Sequence, residues 1–320
     1  MKKLESKETG VAASSSTSIS KKVLLLPYLI VPIVIVLILA DYLFFQQRLQ
    51  KLLLVQPILV LLAGILFGLP HIVASLFAYA DKNYRAFYKK DFKFVVPASL
   101  LAAVLTTYVL PKFAGYILYT VLTLVHTIGQ QTGLSRSGIR VSNRTYLVWR
   151  WASTFVACST VLSLAQIGGL KMPLLVVAVL ALSVSSYCAI RLILEAGGAK
   201  KANYLLATQA MLVVSFTCFV TGYALLGILI PRIVHDCTAY ILYIAHDSKH
   251  TLNSSNNVIY AKLNIKGKHV FWFLPFVSVI FAIFLNMTGF LMITITYFHY
   301  FMEKTAWSRQ SIHRSIVMFK

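Results

Sequence analysis

The chain has 320 residues, of which 58% are hydrophobic and only 12% charged, about half the charged share of roughly 25% seen in soluble domains. Its formal charge of +21 comes from 30 Lys and Arg against 9 Asp and Glu, and the cations sit between long apolar runs rather than on a basic domain. This composition excludes a soluble globular protein. The charge pattern argues against nucleic acid as a partner and for membrane topology and anionic lipid headgroups.

Residues 1–20 are polar and include Ser14-Ser-Ser-Thr-Ser18, too little apolar surface for a core, so they are expected to be disordered. Lys21 and Lys22 then precede an apolar run over 23–45. That run is too long for the apolar part of a signal peptide and reads as a retained first span. Further spans are predicted over 52–80, 94–110, 112–134, 146–168, 172–194, 203–229, 231–248 and 270–298, each near the ~20 residues that cross a bilayer. The expected fold class is therefore all-α: a polytopic transmembrane bundle of eight to nine spans over 21–303, followed by a basic tail over 304–320. No internal repeat or soluble domain is visible.

The Lys and Arg counts between these runs alternate high and low, from five before the first run (Lys2, Lys3, Lys7, Lys21, Lys22) to single residues at Lys112, Lys171 and Arg232. By the positive-inside rule the N-terminus is predicted to be cytoplasmic, in a cell (inner) membrane. The tail, with Lys304, Arg309, Arg314 and Lys320, breaks the alternation. The apolar run from Val270 to Met302 is long enough for a helix plus a re-entrant piece.

Cys158, Cys188, Cys218 and Cys237 all lie in apolar runs without a CxxC, which reads as small buried side chains rather than a thiolate site. Gly64-x-x-x-Gly68 would let helices approach closely, and Pro70 would bend its helix beside His71. No Walker loop, nucleophile elbow or GxGxxG occurs.

The histidines carry the chemistry. Polar side chains in hydrocarbon are costly and need partners. His246 and His250 are four apart, on one helix face, at a spacing that can hold one metal ion. His71 and His126 are expected at a similar depth, so the predicted metal ligands are His71, His126, His246 and His250. His235 is eleven residues before His246, about 16 Å along a helix, and is predicted to be too far for the same ion. His299 is expected at the opposite membrane face, with Glu303 four residues on as a capping or interfacial pair. Imidazoles suit iron, zinc or copper.

Phe67-Gly-Leu-Pro-His71, His126-Thr-Ile-Gly-Gln130 and Tyr243-Ile-Ala-His246-Asp-Ser-Lys-His250 resemble motifs of the microbial Brp/Blh-like β-carotene dioxygenase family, over about residues 60–310. The resemblance implies a multi-span helical protein in which His71, His126, His246 and His250 hold one Fe(2+). The family's first motif continues as PHGxxD, whereas His71 is followed here by Ile72-Val73-Ala74-Ser75, a departure that concerns the substrate rather than the metal. The implied function is a non-haem iron oxygenase that oxidises or cleaves a long apolar substrate, a carotenoid-like polyene or other lipid. The competing readings are a polytopic protein without catalysis (a transporter or an assembly factor) and a haem-binding cytochrome, whose axial histidines come from two helices.

Overall fold

The computed structural model describes residues 17–53, 68–137, 139–164, 169–253, 256–306 and 317–319. Most of the polar N-terminal segment and the basic tail lie outside these residues, as do Gly64 and Phe67.

The fold is all-α apart from a three-residue parallel pair, β1 (Thr17–Ile19) with β2 (Val317–Phe319). The helices follow as α1 (Lys22–Phe44), α2 (Arg48–Leu52), α3 (Leu69–Ala78), α4 (Lys82–Phe87), α5 (Lys89–Val109), α6 (Lys112–Ser135) and α7 (Asn143–Ser163). Then come α8 (Lys171–Glu195), α9 (Asn203–Val220), α10 (Ala224–Asn253), α11 (Val258–Lys262), α12 (Val270–Asn286) and α13 (Gly289–Ala306). Pro70 sits in the first turn of α3, as the helix N-terminus permits. Asp81 accepts from the backbone N–H groups of Asn83 and Tyr84 and so caps α4.

Six of the described helices are long and apolar enough to cross a membrane: α1, α5, α8, α9, α10 and the stretch Gly267–Asn286 that contains α12. Helices α6, α7 and α13 have 24, 21 and 18 residues but carry polar residues that bond to neighbouring helices. Tyr28 donates to Gln131 at 2.8 Å, Ser135 lies 2.8 Å from Thr208, and Trp149 donates to Gln209 at 2.9 Å. Such bonds satisfy groups that hydrocarbon cannot solvate and tie neighbouring helices together.

Helix α10 is the axis of the bundle, packing against α1, α3, α6, α9 and α12. The apolar run after Val270 is not one span. It breaks at Met287–Thr288, between the C-cap of α12 and the start of α13. Helix α13 then turns back against α3 and α5, so its C-terminus returns toward the end at which α12 began. This reversal moves His299 away from the face where an uninterrupted span would put it.

Candidate metal centre

Helices α3, α6, α10 and α13 each contribute one histidine to a closed ring: His71, His126, His235 and His299. Around the ring, His71 to His235 is 5.1 Å between centroids, and His235 to His126, His126 to His299 and His299 to His71 are each 5.0 Å. Interplanar angles run from 66° to 89°, so each imidazole turns an edge to two neighbours. His71, His235 and His299 are each only 1% exposed.

Two carboxylates meet the ring. Glu303, one turn after His299 on α13, lies 2.9 Å from His126 Nε2 and 3.3 Å from His299 Nε2. Asp236 lies 3.0 Å from His71 Nδ1. These contacts are short but not aligned as hydrogen bonds. Both ring nitrogens of His71 and His235, Nε2 of His126 and His299, and Oδ1 of Asp236 have no hydrogen-bond partner. Orphaned buried polar atoms are rare in folded proteins because desolvating them is unfavourable, and here they cluster around the ring.

The surroundings orient the ligands. Ser75 donates to the Ile72 carbonyl at 2.6 Å, so its oxygen is free to accept from His299 Nδ1 at 2.8 Å. That places the proton on Nδ1 and leaves Nε2 as a bare lone pair facing Glu303. Tyr243 and Gln130 both donate to Glu303 Oε1, at 2.7 and 2.8 Å. Tyr300 stacks on His126 at 4.3 Å. Arg232 donates through Nε to Asp236 Oδ2 at 3.0 Å. Gly68 packs beside it, and a Cβ there would force the Arg232 guanidinium to shift.

The donors form two overlapping groups, His71–His126–His235 and His126–His299–Glu303, with one ligand atom per residue lying within 4.8 Å of the others. A closed sphere with metal–nitrogen bonds of about 2.0–2.1 Å puts neighbouring ligand atoms roughly 2.9–3.4 Å apart. The contacts of Glu303 with His126 and His299, at 2.9 and 3.3 Å, already lie in that range. The residues present fit a divalent ion, and the donor set is nitrogen and oxygen with no sulfur.

Of the four ligands predicted from sequence, the structure brings His71 and His126 together and places His246 and His250 elsewhere. His246 stands eleven residues beyond His235 on α10, about 16 Å away. Both of its ring nitrogens are engaged: Nε2 with the Tyr84 hydroxyl and Nδ1 with Asp247, each at 2.7 Å. Tyr260 donates to the other Asp247 oxygen at 2.6 Å. His250 Nε2 lies 2.7 Å from Asp81 Oδ2, with its ring stacked on Tyr84. Burial, followed by the charges of Asp247 and Asp81, holds the Tyr84 phenol far above its ordinary value, so Tyr84 is the donor to His246. Burial pushes the Asp81 carboxyl up, but its hydrogen bond and charge interaction with His250 and the N–H groups of Tyr84 and Asn83 outweigh this and hold it low. This second network joins α4 and its cap to α10 and α11 at one end of the bundle.

Sequence reasoning thus missed His235, His299 and Glu303 as neighbours of His71 and His126. Two local signals were present: the dipeptide His235-Asp236 within an apolar run, and His299 and Glu303 one turn apart. Tyr243, through its bond to Glu303, is part of the same site. No family model, curated protein or solved structure matches the chain.

Proposed function

We propose that the protein is a membrane-embedded non-haem iron oxygenase acting on a long apolar substrate, with His71, His126, His235, His299 and Glu303 holding one Fe(2+). The observation that carries this reading is the composition of the buried donor set: four imidazoles from four helices, whose His126–His299–Glu303 part is two histidines and a carboxylate. Two histidines and a carboxylate are the ligand type of non-haem iron oxygenases, and five donors in an octahedral site would leave one position open for O₂. The iron would supply O₂ activation. The chain's own residues do the rest. Ser75 fixes the His299 tautomer, Tyr243 and Gln130 hold Glu303 in place, and the apolar shell excludes water so that the oxidant is not lost to side reactions.

The bundle of eight to nine spans with a cytoplasmic N-terminus and the affinity to the β-carotene dioxygenases belong to the same reading, with the ligand set changed at two of its four positions. A haem between these histidines is disfavoured by the ring itself, because each imidazole is flanked by two others at about 5 Å and no plane between them is free for a porphyrin.

Metal analysis of detergent-purified protein tests the centre, with about one iron per chain expected. Production in carotene-accumulating cells tests the substrate class. Bleaching with appearance of a shorter aldehyde supports polyene cleavage, and unchanged pigment with iron bound redirects the search to other lipids.

A further inference from the structure

A cavity of about 510 Å³ lies beside the histidine ring, between α6, α7, α9 and α10, a volume in the range of small-molecule sites. Its mouth is at the end where α6 begins and α7 ends, at Tyr116 and Leu164, which are 55% and 37% exposed. Its floor is at Thr127, Pro231 and Arg232. About 16 Å of helix separates Tyr116 from Thr127, so the space is long and narrow. Thr127 directly follows His126, and Arg232 is one turn from Asp236. The wall between is mostly apolar, with Val156, Ala157 and Leu212, and carries the hydroxyls of Thr120, Thr123 and Ser215.

Among the described residues, Arg232 is the one charged residue of the lining. Its Nε is used on Asp236, and its side chain keeps 23% exposure. A guanidinium carries five N–H donors in a fixed fork; Nη2 packs against Gly68, and Nη1 remains for a ligand. Asp236 balances the charge of Arg232. A divalent ion on neutral imidazoles and Glu303 leaves one positive charge over in a medium of low dielectric, where net charge is costly.

We propose that this cavity takes a single-chain amphiphile with a carboxylate head, inserted head-first so that the head meets the Arg232 fork beside the metal centre and the tail points to the mouth. This rests on the metal reading above, because the ion supplies the charge that a monoanion would balance.

The test uses full-length, metal-loaded protein in detergent, titrated with oleate and with oleyl alcohol, alongside metal analysis of every sample. One oleate per chain is expected, with the alcohol bound about tenfold more weakly or worse, the cost of a lost hydrogen bond to a charged group. Ala157→Phe, which fills the slot away from the ligands, should weaken oleate at least tenfold with metal content unchanged. Arg232→Gln should bind acid and alcohol alike. Equal binding of acid and alcohol by the unaltered protein overturns the proposal, as does undiminished oleate binding by Ala157→Phe. Metal content reads the centre and the acid-to-alcohol ratio reads the cavity, so the two readings fail separately.

Discussion

His235 and His246 stand three turns apart on the same face of α10, and each belongs to a different polar network. His235 closes the ring with His71, His126 and His299, whereas His246 is held between Tyr84 and Asp247. One helix therefore presents a converging set of unsatisfied nitrogens in mid-bundle and a hydrogen-bonded histidine near its end.

Metal content should separate these two histidines. His235→Ala and His299→Ala are each expected to lose stoichiometric metal, because each removes a donor from the ring. His246→Ala should keep it. Atomic-emission analysis of the three variants beside the unaltered protein reads the difference, and retention of metal by His235→Ala would contradict the ring as the binding site.

Ser75 touches no ion in this scheme, yet it sets the proton on His299 Nδ1. Ser75→Ala should weaken metal affinity about 10–100-fold, the usual effect of losing such an orienting partner, with little change in helix content. Competition with a chelator of known affinity measures it.

Gly68→Ala would drive the Arg232 guanidinium from its place and leave Asp236 as a buried charge without its cation. Breaking a buried ion pair in this way costs about 3–5 kcal/mol. Thermal unfolding in detergent should show a clear drop, and an Asp236→Asn change in the same chain should recover part of it because the orphaned charge is then gone.

The Asp81–His250 contact makes one end of the bundle acid-sensitive. The Asp81 carboxyl is held below its ordinary value in the folded chain, so its contribution is fully present above the unfolded value of about 3.9 and is lost as pH falls through the lower folded value. The unfolding midpoint of the protein should decline with acidification over that window. In Asp81→Asn that component of the decline should vanish, and an identical pH profile in the variant would sink the assignment.

The composition already pointed to helices long and apolar enough to cross a membrane, six of which appear among the described residues, because apolar runs of about 20 residues match a helical crossing. His71 and His126 stood out from sequence for the same reason, as isolated polar groups in apolar runs. Helical period also separated His235 from His246 by three turns of one helix. What it could not show was which of the two faces His71, since that depends on the height at which α3, α6 and α10 pack. The position of His299 depended on a chain reversal at Met287–Thr288. Asn286, Thr288 and Gly289 are a weak turn signal inside a run whose hydropathy alone reads as continuous. Only the tertiary structure decided the ring, because depth and facing across four helices are set by side-chain packing between segments far apart in sequence, and no local pattern encodes them.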